Sequence, residues 1–157
     1  MSGDGSADCL VCRKHIEQGP LVPGGPVAAD ELVMVSHIAP ADALGGQGTT
    51  AYLGQLLVEP RRHAPGLADL TDAEARAVGL WSARASRALR DIPGAEHVYA
   101  AVFGDAVPHL HVHLLAKFPG TPREYWGVRV NKWPQTRRGT AAEIGGLVRQ
   151  LRGYLGG

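Results

Sequence analysis

The sequence predicts an α+β domain with a mainly antiparallel sheet. Two observations predict it. The elements follow one another in the order strands, helix, strands, helix, and the strands within each group lie close together along the chain. Strands joined by short connections pair antiparallel, and helices separated from such groups pack against the resulting sheet. We therefore expect a sheet with two helices.

The first group of strands precedes the first helix. The segments 26–29 and 32–38 are short and apolar and predict a hairpin. A loop of small residues occupies 39–51. The run LGQLLVE at 53–59 predicts a further strand, which stops at Pro60 because proline has no N–H for the sheet. These segments supply the first half of the sheet.

Both predicted helices begin at a capping box, in which a threonine and a glutamate three residues later bond to each other's backbone N–H groups. The first box is TDAE at 71–74, and Pro93-Gly94 ends its helix. The apolar segment 97–103 predicts a strand. The second box, at 140–143, begins a C-terminal helix over 140–155.

Length and composition describe one ordinary globular domain. The chain has 157 residues, 45% of them hydrophobic and 20% charged. We expect a disordered N-terminus at 1–8 and a single domain over 9–157, with an irregular loop at 119–139. A net charge of +1 argues against nucleic-acid binding. No apolar run reaches the length of a membrane span and the start does not resemble a signal peptide, so we expect a cytoplasmic protein that binds no membrane.

The most informative segment is HLHVHLL at 109–115. Side chains alternate along a strand, so His109, His111 and His113 would share one face while apolar residues fill the other. Imidazole titrates near neutrality, binds metals and can attack phosphorus. The plain alternative is a solvated strand face that happens to be rich in histidine. A further alternative is a catalytic metal held by the three imidazoles themselves.

The run PHLHVHLL resembles the signature of the histidine triad family. The segment LGQLLVEPRRH, which ends at His63, is similar to that family's strand followed by a proline, two polar residues and a histidine. The pair Cys9 and Cys12 matches the Cys-x-x-Cys that opens many bacterial members. The resemblance spans residues 9 to about 118. It implies the fold of that family, a nucleotide or nucleotide-conjugate substrate and a homodimer.

The central imidazole is the expected nucleophile. A neutral imidazole can form a bond to phosphorus and so divide one displacement into two. His111 has a histidine on either side, and the resemblance implies that it attacks the α-phosphorus of a nucleotide. The same resemblance implies that His113 donates a hydrogen bond to a phosphate oxygen. The structural alternative for His113 is a ring that only packs beneath the loop.

Two thiolates at this spacing suit one zinc ion, and a structural zinc site takes four nitrogen or sulfur ligands. The resemblance implies that His63 and His109 complete a site with Cys9 and Cys12. His15, three residues after the second cysteine, is a local alternative. The zinc would be structural, pinning the N-terminal segment to the sheet.

Two substrate positions depart from the family pattern. Asp105 and Ala106 stand where relatives carry glutamine and a hydroxyl residue, and a carboxylate repels a phosphate unless it is paired or protonated. His37 stands where relatives place the aspartate that binds the ribose hydroxyls. Both Asp105 and His37 are candidate substrate contacts, and both favour a changed sugar, base or ester.

The sequence therefore predicts a nucleotide hydrolase or transferase that cleaves a phosphoester, phosphoanhydride or phosphoramidate bond through a nucleotidyl-histidine intermediate. One alternative is a dinucleoside polyphosphate phosphorylase. The other is a nucleotide-binding regulatory module with weak activity, which the Asp105-Ala106 pair favours.

Overall fold

A computed structural model describes residues 5–156 as a five-stranded antiparallel sheet in the order β1-β2-β4-β6-β5, with a separate two-stranded ribbon of β3 and β7. The α+β prediction is thus confirmed. The strands are β1 (Ala28–Ala29), β2 (Val33–His37), β3 (Thr50–Tyr52), β4 (Gln55–Pro60), β5 (His97–Ala101), β6 (Val112–Lys117) and β7 (Arg138–Thr140).

The predicted helices are α2 (Asp72–Asp91) and α3 (Ala141–Leu155), and each begins at its capping box. A third helix, α1 (Leu10–Glu17), was not predicted. Its sequence carries no capping box and little apolar periodicity. Instead the Sγ atom of Cys9 accepts the backbone N–H of Cys12 at 3.5 Å, so the cysteine motif itself caps the helix.

The histidine strand is shorter than predicted. Strand β6 starts at Val112, so only His113 of the three histidines lies in regular strand. The cause is that the backbone before Val112 makes its hydrogen bonds outside the sheet. The N–H of Leu110 donates to the carbonyl of Ala64 at 2.7 Å, outside the sheet, and the N–H of His109 donates to Val107. His109 and His111 therefore lie just before the regular strand.

Two loop predictions are refined by the structure. The segment 119–139 holds short 3-10 helices at Arg123–Tyr125 and Gly127–Lys132 and reaches β7 at its end. Of the N-terminal segment predicted to be disordered, residues 1–4 lie outside the described residues. In the described part, the carbonyl of Ser6 accepts the N–H of Cys9, which forms a turn before α1.

The main core lies between the sheet and the long helix. Helix α2 packs on β2, β4 and β6, and α3 packs on α2. Val58 and Leu114 face this core, so by strand alternation Leu57 and His113, which are register partners, point to the opposite face. That second face carries the candidate site. Among the described helices, none combines the length and the apolarity needed to cross a bilayer.

Candidate functional site

The candidate site is a cleft between α1 and the face of the sheet opposite α2. Its volume is about 170 Å³, and His111 and His113 line it. Most of the remaining wall is apolar: Leu10, Val11, Leu21, Ile38, Ala39, Leu44, Leu57 and Val107. Two charged side chains, Lys14 and Glu59, complete the lining. A cleft that is apolar apart from a few polar groups is typical of small-molecule sites.

The backbone fixes the tautomer of His111. Its Nδ1 atom lies 2.7 Å from the carbonyl oxygen of His109. A carbonyl only accepts, so Nδ1 must carry the proton and Nε2 keeps a lone pair. The ring is half-buried and packs edge-on against His113, with 4.9 Å between ring centroids. His111 therefore offers an unprotonated nitrogen at the cleft.

The opposite tautomer is favoured at His113. The side-chain amide of Gln55 donates from Nε2 to its Nδ1 at 3.2 Å, so the proton of the neutral ring sits on Nε2. The amide orientation of Gln55 is supported by Asn131, whose Nδ2 donates to Oε1 at 3.3 Å. Burial, and then the charge of neighbouring His111, lowers the pKa of His113. The neutral ring is thus a hydrogen-bond donor beside the nucleophile.

Gln55 and Asn131 escaped the sequence analysis. Gln55 lies within a segment recognised only as a strand, and Asn131 lies in the loop that resembled nothing. A buried glutamine among apolar neighbours was the one available signal.

His37 does not reach the cleft, contrary to the prediction of a sugar contact. The residue is fully buried. Its Nδ1 donates to the carbonyl of Ile38 at 2.8 Å and its Nε2 accepts the N–H of Gly54 at 3.1 Å. Both ring nitrogens are thereby used within the fold. His37 holds the turn before β4 in place, and neither nitrogen is left for a sugar hydroxyl.

Asp105 lies on an exposed loop and does not line the cleft. The neighbouring Ala106 is exposed as well. A substrate contact for Asp105 is therefore not visible in the geometry, and its side chain is not among the groups that approach the two cleft histidines.

The four predicted metal ligands meet in one cluster. Cys9, Cys12, His63 and His109 place one ligand atom each within 4.8 Å of one another. The Nδ1 of His109 is 3.4 Å from both sulfurs, and the Nδ1 of His63 is 3.6 Å from the sulfur of Cys12. Sulfur and nitrogen ligands around tetrahedral zinc lie about 3.5 Å apart, given the usual Zn–S and Zn–N lengths. The four residues fit a structural zinc ion.

A backbone contact prepares His109 for this role. Its Nε2 donates to the carbonyl of Pro60 at 2.8 Å, which leaves Nδ1 unprotonated toward the cysteines. Within residues 5–156, the group that could share a metal includes neither His111 nor His113. The alternative in which the three imidazoles hold one catalytic ion is therefore not supported by the geometry.

His15 is not part of the metal cluster. Its Nε2 lies 2.9 Å from Oε2 of Glu59, whose Oε1 accepts from Nζ of Lys14 at 2.7 Å. Burial alone would raise the pKa of Glu59, but the Lys14 charge and these hydrogen bonds outweigh it and lower the pKa. Sequence reasoning missed Lys14 and Glu59. A carboxylate at the end of an otherwise apolar strand was the feature of the sequence that could have identified Glu59.

Comparisons with known proteins agree with this geometry. The family model described as HIT domain matches residues 49–120, which include His63 and all three histidines of the motif. No curated protein matches the sequence. Among solved structures, a histidine triad protein from Bradyrhizobium japonicum is 29% identical, with a TM-score of 0.61, over 83% of this chain and 89% of its own.

Two further solved structures show the same fold. A zinc-bound histidine triad family protein from Mycobacterium smegmatis is 21% identical, with a TM-score of 0.67, over 97% of this chain and 96% of its own. A hypothetical histidine triad nucleotide-binding protein from Sulfolobus tokodaii is 17% identical, with a TM-score of 0.68, over 94% and 92%. Residues 49–120 of the chain thus match the HIT domain, and the fold of the chain is the one seen in these solved histidine triad proteins.

Proposed function

We propose that this protein is a nucleotide hydrolase or transferase that cleaves a phosphoester, phosphoanhydride or phosphoramidate bond at the α-phosphate of a nucleotide. The observation that carries the proposal is the unprotonated Nε2 of His111 at an open cleft, next to a second imidazole with the opposite tautomer. A neutral imidazole lone pair is a competent nucleophile toward phosphorus.

The reaction divides into two displacements. In the first, the Nε2 lone pair of His111 forms a bond to the α-phosphorus while the bond to the leaving group breaks. The leaving group departs with that electron pair and takes a proton from solvent. In the second, water attacks the same phosphorus, loses a proton to solvent, and the N–P bond breaks, so that Nε2 regains its lone pair.

His113 assists by hydrogen bonding. Its Nε2–H donates to a non-bridging phosphate oxygen, on which negative charge increases as the phosphorus is attacked. Gln55 holds this tautomer through Nδ1. The edge-on packing of the two rings keeps the donor of His113 close to the nucleophile, so the same phosphate can meet both.

Zinc, when bound by Cys9, Cys12, His63 and His109, supplies a structural cross-link and no Lewis acid for the reaction. His109 is the residue that joins the two sites. One nitrogen of its ring faces the cysteines, and its backbone carbonyl accepts a hydrogen bond from the Nδ1–H group of His111. Fixing His109 therefore also fixes the orientation of the nucleophile.

The test is covalent labelling. The unchanged protein, mixed with a nucleoside 5′-phosphoramidate labelled at phosphorus and quenched in alkali, should carry the label on His111. His111→Asn should carry none and should turn over at least about a thousandfold more slowly, because the amide lacks a nucleophilic lone pair. The matched control is His97→Asn, on an exposed face of β5, which should label normally.

Turnover that survives in His111→Asn would contradict the proposal. The products also separate the two alternatives. Incorporation of inorganic phosphate into a nucleoside diphosphate would identify a phosphorylase, and tight nucleotide binding without label or turnover would identify a binding module.

We further propose, from the family resemblance, that the protein is a homodimer, which sedimentation at micromolar concentration would test.

A further inference from the structure

A buried ionic cluster occupies one wall of the cleft. Lys14, from α1, and Glu59, at the end of β4, form an ion pair with 2.7 Å between Nζ and Oε1. The second carboxylate oxygen of Glu59 is held by His15 at 2.9 Å. The side chains of Lys14 and Glu59 are only 9% and 1% exposed, so neither is a surface charge. The proposed transfer chemistry uses none of these three residues.

The ammonium group of Lys14 has donors to spare. It carries three N–H groups, and its one hydrogen bond in the described part of the chain goes to Glu59. Buried donors are normally satisfied, so an ammonium that lines a cleft with two remaining donors lacks an acceptor. Most of the cleft wall around it is apolar.

We propose that Lys14, positioned by Glu59, selects the base of the nucleotide. Its ammonium donates a hydrogen bond to an acceptor on a heterocyclic base, either a carbonyl oxygen or a ring nitrogen, while the apolar residues of the cleft cover the flat faces of that base. The inference rests on the proposed function only in taking the ligand to be a nucleotide. It deepens that proposal by naming the group that distinguishes one base from another.

Charge favours a base over a second phosphate as the partner of Lys14. Lys14 and Glu59 together carry no net charge, so the pair gives little attraction for a phosphate dianion. An apolar wall also makes an anion costly to desolvate, whereas a neutral ring gains from the same wall. A single charge-assisted hydrogen bond in such a setting gives selectivity among neutral rings.

The test measures binding by calorimetry, with the four common nucleoside 5′-monophosphates and with ribose 5-phosphate, which has no base. In the unchanged protein the preferred nucleotide should bind more tightly than ribose 5-phosphate. In the double variant Lys14→Met with Glu59→Leu, the ratio of the two affinities should fall by about 10- to 100-fold, as expected for one hydrogen bond to a charged group. Both residues change together because a lone buried carboxylate would destabilise the fold.

The matched control is Arg13→Met, on the same helix but more than half exposed, which should leave the ratio within about twofold. An analogue of the preferred nucleotide that lacks one base acceptor gives a test that needs no variant. The analogue that lacks the acceptor contacted by Lys14 should bind the unchanged protein about 10- to 100-fold more weakly than the preferred nucleotide does. In the double variant the analogue and the preferred nucleotide should bind equally tightly.

Three results would overturn the inference. These are an unchanged ratio in a folded double variant, an equal loss for ribose 5-phosphate, which would make Lys14 a phosphate contact, and the absence of any base preference in the unchanged protein. The covalent labelling of His111 is measured separately. Base selection without label would contradict the proposed transfer reaction and leave the role of Lys14 standing.

Discussion

At the scale of single residues, two neighbouring imidazoles acquire opposite roles from the backbone carbonyls they face. His109 donates from Nε2 to Pro60, which turns its Nδ1 lone pair toward the cysteines. His111 donates from Nδ1 to the carbonyl of His109, which leaves its Nε2 lone pair for the cleft. One ring is thereby suited to bind metal and the other to attack phosphorus.

Replacing Gln55 by leucine should slow turnover by about 10- to 100-fold, because His113 then no longer keeps its proton on Nε2. The hydrogen bond from Gln55 favours the neutral ring, so its loss should raise the pKa of His113. The NMR titration profile of the His113 ring should consequently move to higher pH. The same substitution at exposed Gln135 is the control. An unchanged profile in Gln55→Leu would show that the contact does not position His113.

At the scale of elements, helix α1 joins the metal cluster to the cleft. Cys12 of this helix and Cys9 at its cap face His109, while Leu10, Val11 and Lys14 line the cleft. A helix of eight residues is too short to be stable in isolation. The position of α1 therefore depends on the contacts that Cys9 and Cys12 make with His109. The shape of the cleft wall depends in turn on the position of α1.

Removing the metal ligands should loosen α1. We expect one zinc per chain in the unchanged protein and none in Cys9→Ser with Cys12→Ser, measured by atomic emission. With free zinc at about a hundred times its Kd, the free energy of unfolding should be about 3 kcal/mol lower in the double variant. Amide hydrogen exchange should accelerate in α1 and remain slow in α2.

His111→Asn serves as the control, because its ring is outside the metal cluster and zinc should remain bound. A chain that binds no zinc in its unchanged form, or an α1 that is equally protected without the metal, would contradict this account.

At the scale of the whole molecule, His37 joins β2 to the turn that precedes β4. Burial lowers its pKa from 6.5 to about 4. The unfolded chain therefore binds a proton at a higher pH than the folded one. The resulting contribution to stability is complete above pH 6.5 and is lost as the pH falls from 6.5 toward 4.

The free energy of unfolding should show this loss. A single proton changes it by about 1.4 kcal/mol per pH unit, so roughly 3 kcal/mol should disappear across that interval. His37→Gln keeps polar atoms but does not titrate. Urea titrations at several pH values would give the free energy of unfolding of both proteins. The difference between the unchanged protein and the variant should decrease by about 1.4 kcal/mol for each pH unit of acidification in that interval. A constant difference would contradict the buried neutral state of His37.

Much of the fold was predictable because the deciding interactions are local. The capping boxes at Thr71 and Thr140 lie within four residues and begin α2 and α3 where expected. Helix α1 and the late start of β6 were not predictable, because both depend on distant partners. Leu110 donates to Ala64 in place of a strand neighbour, and no pattern in 109–115 reveals that exchange.

The sequence by itself determined the chemical groups of the candidate site, which are alternating histidines and a cysteine pair. It also determined the order of elements in an α+β domain. Only the tertiary structure decided which ring serves which purpose. His109 faces the cysteines, His111 faces the cleft and His37 is enclosed in the fold. The physical reason is that an imidazole's function follows from the partner of each ring nitrogen. Those partners, the carbonyls of Pro60 and Ile38 among them, are set by packing and not by spacing along the chain.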